Sequence, residues 1–143
     1  MYRFLECKAG DYMTSPVHTV TSQVTMRELE GLFEKYDFNS FPVVEEKKLM
    51  GIVTKFDFLR VFAFSTSQIV PHFNELMNRT VGEVMTEGVV YVEPTTPLTR
   101  VLHLMVGFKS RSFPVMGLGN QLLGMISRED VMRALRISTQ GAC

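Results

Sequence analysis

Two stretches of the chain carry apolar residues at the three- and four-residue spacing of an amphipathic helix. In the first stretch they are Met26, Leu29, Leu32, Phe33 and Tyr36, and in the second Leu98, Val101, Leu102, Met105 and Phe108. Thr25 and Glu28 have the spacing of a capping box at the start of the first stretch. Before the second, Thr96 is the expected N-cap, with Pro97 at the first helical position. The pattern therefore predicts one helix in each half of the chain, with one face buried.

Short apolar runs flank each predicted helix and are typical of β-strands. Residues 18–20 and 90–92 precede the helices, and the paired runs 41–44 with 49–53 and 113–116 with 122–126 follow them. Turn residues separate the members of each pair, which favours hairpins. A second helical run follows each hairpin. The order β-α-β-β-α, occurring twice, predicts an α+β fold in which helices pack on one face of a small mixed sheet.

The two halves also repeat in sequence. Displaced by 72 positions, residues 40–43 meet residues 112–115 without a mismatch, because both are Ser-Phe-Pro-Val. One extra residue in the second hairpin loop then moves the displacement to 73, at which Asp57 meets Asp130. Self-similarity of this kind predicts two copies of one structural unit.

The limits of the copies follow from the repeat. We predict a first repeat over residues 8–64, a linker over 65–79 and a second repeat over 80–137. One repeat alone is marginal in size for a stable core. We therefore expect the two β-α-β-β-α repeats to pack as a pseudo-twofold pair through their sheets.

The end of each hairpin carries a hydroxyl residue and a carboxylate where a helix is expected to begin. Thr54 with Asp57, in the first copy, has the spacing of a capping box with Asp in place of Glu. Ser127 with Asp130 has the same spacing in the second copy. A helix cap alone would account for these residues, and so would contact with a polar ligand.

The ordered set of motifs resembles a tandem pair of cystathionine-β-synthase-type (CBS) domains, a Bateman module. The set consists of Met-Thr, a valine, Phe-Pro-Val and Gly-x-x-(Thr/Ser)-x-x-Asp, and each part occurs twice. The resemblance extends from about Lys8 to Ile137, so a stand-alone module is expected. Members of that family bind AMP, ADP, ATP or S-adenosylmethionine in the cleft between their repeats. The resemblance implies a regulatory module whose conformation or partner contacts change with the bound adenosyl ligand.

The resemblance also implies roles for particular residues. Asp57 and Asp130 would accept hydrogen bonds from ribose hydroxyls, and Thr54 and Ser127 would bind ribose or phosphate oxygens. The residues implied for the adenine pocket are Thr14, Pro16, Val17, His18, Ser40, Phe41, Pro42, Thr86, Val89, Val90, Ser112, Phe113 and Pro114. No cofactor is required, because the nucleotide is a regulatory ligand.

Elementary chemistry agrees with these roles. A ribose diol presents two donors, and one fixed carboxylate can accept from both. A helix N-terminus offers unpaired N–H groups and the positive end of a dipole, which favour phosphate. Lys55 and Arg128 each follow a hydroxyl residue on such a first turn, and Arg111 offers a forked contact to phosphate. The second copy, which has both arginines, is the better candidate for a polyphosphate. Taken singly, each cation is also an ordinary solvated charge.

Composition and charge bound the remaining possibilities. Fifteen basic and 15 acidic residues cancel, which argues against nucleic-acid binding. No apolar run approaches the roughly 18 residues of a membrane span, so a cytoplasmic protein with no membrane partner is expected. The three histidines lack metal-ligand spacing and no catalytic motif is present, so neither a metal site nor an enzyme is expected. Cys7 and Cys143 are expected to remain reduced thiols.

Partners are implied by the family resemblance and by apolar residues outside the two predicted amphipathic helices. The family resemblance implies a homodimer formed through helices, and an unidentified effector protein as the regulated partner. Phe62, Phe64 and Phe73 are candidates for an exposed apolar patch. Two alternatives stay open: a structural dimerisation or docking module with no bound nucleotide, and an enzyme acting on a nucleotide.

Overall fold

The computed structural model describes residues 2–63 and 73–139 and is a mixed α and β structure. Its helices are α1 (Ala9–Tyr12), α2 (Met26–Lys35), α3 (Lys55–Phe62), α4 (Phe73–Met77), α5 (Val81–Val84), α6 (Leu98–Phe108) and α7 (Arg128–Ser138), and its strands are β1 (Ser40–Glu45), β2 (Lys48–Thr54), β3 (Ser112–Met116) and β4 (Leu122–Ser127). Short 3-10 helices span Tyr2–Glu6 and Leu118–Asn120. The predicted α+β class is confirmed.

The two long amphipathic helices begin in different ways. At the start of α2 the Thr25 side chain accepts from the Glu28 N–H at 3.2 Å, and the Glu28 carboxylate accepts from the Thr25 N–H at 3.2 Å. The predicted capping box is therefore confirmed. The prediction of Thr96 as a cap is wrong, because Pro97 is the N-cap of α6. The Thr96 hydroxyl instead accepts from the N–H of Glu93 at 2.9 Å.

Each half contains one antiparallel hairpin, β1 with β2 and β3 with β4, and the residues described in each sheet form two strands. Glu46 and Lys47 form the first loop at φ 50° and 68°, and positive φ at both central residues suits the twist of a two-residue hairpin. The second loop contains the 3-10 helix Leu118–Asn120. Both hairpins are as predicted, and the extra residue of the second copy lies in its loop.

The short strands predicted before α2 and α6 are reduced to single bridges. Val20 makes a parallel bridge to Val43, and Val92 makes one to Val115. Each bridging valine is buried. These residues therefore add one backbone contact to their hairpins without forming a full strand.

The chain forms two compact units that do not coincide with the two copies. Unit 1 comprises Met1–Val17 and Val90–Cys143, and unit 2 comprises His18–Val89. Each unit therefore contains the helices and hairpin of one copy together with the Met-Thr segment that begins the other copy. In unit 2, Thr25 bridges to Thr80 and the Val81 N–H donates to the Val24 carbonyl at 2.7 Å.

Each unit has its own apolar core, in which both copies take part. The core of unit 1 contains Phe4, Cys7, Ala9, Tyr12, Val92, Leu98, Val101, Met105, Phe113, Val115, Ile126, Val131 and Ala134. That of unit 2 contains Val20, Met26, Leu29, Phe41, Val43, Val53, Val61, Met77, Val81 and Val84. Because helix α1 and helix α5 contribute buried side chains, burial of apolar area holds each segment in its unit.

Cys7 is fully buried and disulfide-bonded, so the expectation of a reduced thiol is wrong there, and Cys143 lies outside the described residues. The rings of Phe62 and Phe73 lie 6.0 Å apart, and Phe64 lies outside the described residues. No helix within residues 2–63 and 73–139 is long and apolar enough to cross a bilayer.

Candidate functional site

In both units the hydroxyl and carboxylate residues cap the helix that follows the hairpin. In unit 2 the Thr54 hydroxyl accepts from the Asp57 N–H at 3.0 Å, while the Thr54 N–H donates to Asp57 Oδ2 at 2.9 Å. In unit 1 the corresponding distances between Ser127 and Asp130 are 3.2 and 2.9 Å. The capping geometry expected from the spacing is therefore present twice.

The second oxygen of each carboxylate is held by an arginine one helical turn further on. Asp57 Oδ1 lies 2.9 Å from Arg60 Nη2, and Asp130 Oδ1 lies 3.1 Å from Arg133 Nη1. Both aspartate side chains are 5% exposed. A buried carboxylate requires such a partner, because an unpaired charge is costly to bury. The site prediction did not include these arginines, although the Asp–Arg spacing of three on a helix was visible in both copies.

The Met-Thr segments lie against the hairpins of the opposite copies. In unit 1, Thr14 and Met125 exchange two backbone hydrogen bonds of 2.8 and 3.0 Å. In unit 2, Thr86 and Ile52 exchange two bonds of 2.8 and 3.0 Å. Met125 and Ile52 each precede the capping hydroxyl residue by two positions. Each segment therefore runs beside the junction of the other copy, by which we mean the point where the hairpin ends and the capped helix begins.

Glycine is required where these segments cross the strands. A Cβ added at Gly51 would lie 2.6 Å from the carbonyl oxygen of Thr86, and one added at Gly124 would lie 2.7 Å from that of Thr14. Neither distance is sterically possible without movement of the backbone. Gly51 and Gly124 therefore have a structural role, because the absence of a side chain lets the Met-Thr segment pack directly against the strand.

The residues implied for ligand binding are divided between the units. Unit 1 contains Thr14, Pro16, Val17, Val90, Arg111, Ser112, Phe113, Pro114, Ser127, Arg128 and Asp130. Unit 2 contains His18, Ser40, Phe41, Pro42, Thr54, Lys55, Asp57, Thr86 and Val89. Each unit thus has one complete junction, together with Met-Thr residues from the opposite copy.

The hairpin residues implied for the adenine pocket differ in accessibility. The side chains of Phe41 and Phe113 belong to the cores of their units, with 1% and 2% exposure. Pro42 and Pro114 are also buried. In unit 2 the half-buried Ser40 pairs directly with Thr54, and the register repeats in unit 1. The serines therefore bring a second hydroxyl beside each capping residue.

The cations implied for phosphate binding have other contacts. Arg128 donates from Nε to the carbonyl of Ser110 at 3.0 Å and from Nη2 to that of Lys109 at 3.1 Å. These bonds satisfy backbone carbonyls at the end of α6. Lys55 Nζ lies 5.9 Å from the centroid of the Phe33 ring. Arg111 is exposed, and its carbonyl accepts from the Arg128 N–H at 2.9 Å. Arg128 is thus already engaged as a helix cap.

His18 lies in an aromatic cluster of unit 2. Its ring centroid is 4.1 Å from that of Tyr36 and 5.7 Å from that of Phe38. Tyr36 and Phe38 are stacked at 5.7 Å. His18 is exposed, and Phe38 is 40% exposed. The cluster offers an aromatic face of the kind on which a planar base can stack.

No group of three or more histidine, cysteine or acidic residues is arranged to hold a metal ion in the described ranges. The groups that lie at each junction are a carboxylate, two hydroxyls, an arginine and a helix N-terminus.

The model of the CBS domain matches residues 9–63 and 81–137. Because the match covers more than half of the chain, the protein belongs to the CBS domain family. One curated relative is the chloroplastic CBS domain-containing protein CBSX1 of Arabidopsis thaliana, 30% identical over 92% of this chain and 66% of the relative. The chain spans 14%, 44% and 66% of the lengths of the first three curated relatives that it matches.

Two solved structures have the same fold. The structure of CBSX2 in complex with AMP is 26% identical with a TM-score of 0.78, and the alignment covers 92% of this chain and 98% of that chain. The CBS domain pair of protein MJ0100, in complex with 5′-methylthioadenosine and S-adenosylmethionine, is 25% identical with a TM-score of 0.74, covering 90% and 98%. The chain therefore has the fold of a CBS domain pair.

Proposed function

We propose that the chain is a regulatory module that binds an adenosine-containing ligand and changes its conformation or partner contacts in response. One observation carries the proposal: each unit has a buried aspartate at a helix N-terminus, beside two hydroxyl side chains. In unit 2 these residues are Asp57, Thr54 and Ser40. A carboxylate accepts from a ribose diol, and hydroxyls and helix N–H groups suit phosphate oxygens.

The relatives support the same class of ligand. CBSX2 has been solved with AMP, and the domain pair of MJ0100 with 5′-methylthioadenosine and S-adenosylmethionine. These ligands share an adenosine moiety and differ in the group on the 5′ carbon. We therefore propose AMP, ADP, ATP and S-adenosylmethionine as candidates, with the ribose at Asp57 or Asp130.

A docking module with no nucleotide is the second candidate, because the oxygens of both aspartates already have hydrogen-bond partners within the chain. Asp57 already accepts from the Thr54 N–H and from Arg60. Asp130 is satisfied in the same way. A ribose would have to use the remaining lone pairs of the carboxylate or displace the arginine.

Thermal unfolding with each candidate ligand separates the two functions. A ligand at 100 times its dissociation constant stabilises the folded state by about 2.7 kcal/mol. For a chain of this length that corresponds to a rise in melting temperature of roughly 5–11 °C. A melting temperature that none of the four ligands changes would support the docking module.

Substitution of the aspartates then tests the site itself. Asp57→Asn and Asp130→Asn keep one carbonyl oxygen as a cap acceptor but remove the charge. Under the proposal one of them abolishes the ligand-induced rise. Glu129→Gln is the matched control, because it removes a charge from an exposed residue on the same helical turn as Asp130. If all three variants bind alike, the aspartates act only as caps.

We also propose that two copies of the chain associate through their helices. Helices α6 and α7 carry an apolar groove of about 480 Å³, lined by Leu102, Met105, Val106, Lys109, Arg128, Val131, Met132 and Leu135. Val106 is 71% exposed and Met132 is 66% exposed. Such a patch, on two adjacent helices, is typical of a protein interface.

Light scattering after size exclusion tests this homodimer. Met132→Glu places a charge in the proposed interface and should yield monomers at concentrations where the wild type is dimeric. Leu118→Glu is the control, since Leu118 is 94% exposed in the loop between β3 and β4. A wild type that is monomeric at all concentrations would contradict the homodimer.

A regulatory role for the chain itself, without catalysis, and a cytoplasmic location belong to the same proposal. Purified protein should leave AMP and ATP unchanged over hours, and turnover that Asp57→Asn abolishes would contradict this. The disulfide at Cys7 is unusual for a cytoplasmic protein, so a Cys7 that is disulfide-bonded in cells, in a protein that fractionates outside the cytoplasm, would contradict this location. Fractionation of cells, with thiol trapping of Cys7, decides the location.

A further inference from the structure

Unit 2 has an open groove beside its aspartate. The groove has a volume of about 490 Å³ and is lined by Asp57, Arg60, Val61, Ala63, Arg79, Glu83, Val84 and Met85. This volume lies within the range of small-molecule sites, about 300–1,000 Å³. The wall is largely aliphatic, and its polar groups come from two arginines and two carboxylates.

The corresponding region of unit 1 contains a buried aromatic side chain. At the displacement of 72, Val84 corresponds to Tyr12, which is 5% exposed. The guanidinium of Arg133 lies 5.6 Å from the centroid of the Tyr12 ring and donates to the Tyr12 carbonyl at 3.0 Å. Arg133 is therefore bound both to its aspartate and to helix α1.

Arg60, the counterpart of Arg133, is more accessible. It pairs with Asp57 at 2.9 Å and lies 5.8 Å from the Phe56 ring, and its side chain is 57% exposed. Since Val84 replaces the aromatic ring, the guanidinium of Arg60 borders the groove instead of a filled core. A guanidinium carries five N–H donors, and the Asp57 contact uses one nitrogen.

Arg79 supplies a second guanidinium to the same groove. Its Nε lies 3.0 Å from Glu83 Oε2, and the two side chains are 36% and 52% exposed. An exposed pair of this kind contributes little to stability, so its rearrangement around a ligand costs little. Cys7 occupies the corresponding position of unit 1, so unit 1 has no equivalent of Arg79.

We propose that Arg60 and Arg79 form an anion-recognition end of the Asp57 groove, so that unit 2 selects a 5′-phosphorylated adenosine over an adenosine with an uncharged 5′ substituent. The inference rests on the proposed function and specifies the ligand class at one junction. Two forked guanidiniums suit a phosphate, which accepts bidentate hydrogen bonds. The assignment differs from the sequence-based expectation, which placed a polyphosphate at the second copy, because Arg128 is bound to carbonyl oxygens there.

Titration calorimetry with AMP and with adenosine tests the inference. The wild type should bind AMP more tightly than adenosine. Arg60→Gln and Arg79→Gln should each weaken AMP by about tenfold, the loss expected for one hydrogen bond between charged groups, and leave adenosine within about twofold. Arg60→Lys should retain part of the preference for AMP.

Arg133→Gln is the matched control, because it removes the arginine at the same position of the other unit. It should leave the ratio of AMP to adenosine affinity unchanged. An Arg60→Gln variant that weakens both ligands equally, with no effect of Arg79→Gln, would show that Arg60 only positions Asp57 and would overturn the inference. Equal binding of both ligands by the wild type would overturn the inference, although it would still support an adenosine-binding site. Binding of neither ligand, and of none of ADP, ATP and S-adenosylmethionine, would overturn the proposed function as well.

Discussion

Gly124→Ala tests whether the first Met-Thr segment lies against the second hairpin. An added Cβ would lie 2.7 Å from the carbonyl oxygen of Thr14 and 2.9 Å from Sδ of Met13. The thioether can rotate away, but the carbonyl belongs to backbone that is hydrogen-bonded to Met125 in both directions. The segment must therefore move away from β4.

The loss in free energy of unfolding caused by Gly124→Ala can be estimated from these contacts. Movement weakens two backbone hydrogen bonds, which together contribute about 1–3 kcal/mol. Overpacking adds about 1–3 kcal/mol, and the better strand propensity of alanine offsets part of the total. We expect the free energy of unfolding to fall by about 2–4 kcal/mol, and the melting temperature by roughly 4–16 °C.

Urea and thermal unfolding of the purified chain measure this effect, with Gly107→Ala as the matched control. A Cβ added at Gly107, in α6, meets nothing within 4 Å. Helix propensity should therefore stabilise that variant by about 0.5–1 kcal/mol. A Gly124→Ala protein as stable as the wild type would show that Met13 and Thr14 do not lie against β4, because that contact leaves no space for a methyl group.

Two further substitutions test the caps and the core. Ser127→Ala removes the acceptor of the Asp130 N–H and should lower the free energy of unfolding by about 1 kcal/mol, measured by urea denaturation. An unchanged midpoint would contradict the cap. Tyr12→Phe removes a buried hydroxyl that has no hydrogen-bond partner in the described part of the chain, so stability should stay equal or rise by about 1–2 kcal/mol. A clear loss of stability would mean that the hydroxyl has a partner in solution.

Local features of the fold were predictable because they depend on residues close in sequence. The capping box of Thr25 and Glu28, and those that begin α3 and α7, follow from a spacing of three. The hairpins follow from apolar runs and turn residues. The predicted start of α6 was wrong by one residue. Thr96 suits the N-cap and Pro97 the first helical position, but the Thr96 hydroxyl accepts a hydrogen bond from the Glu93 N–H instead of capping the helix.

The exchange of Met-Thr segments was not predictable from the repeat. Thr14 and Thr86 are equivalent positions, so pairing with Ile52 or with Met125 makes the same backbone hydrogen bonds. Local sequence therefore cannot decide between a copy that closes on itself and two copies that exchange segments. The role of Arg128 was missed for a similar reason, because the carbonyls that it contacts belong to Ser110 and Lys109, at the end of a different helix. The pairing of Arg60 with Asp57, three residues apart on one helix, could have been predicted.

A crystal structure of the chain soaked with AMP would locate the nucleotide relative to both aspartates. We expect ribose hydroxyl oxygens about 2.6–3.2 Å from a carboxylate oxygen of Asp57 or Asp130, a normal hydrogen-bond distance. A nucleotide bound elsewhere, with both aspartates bonded only to their own helix caps and arginines, would contradict it.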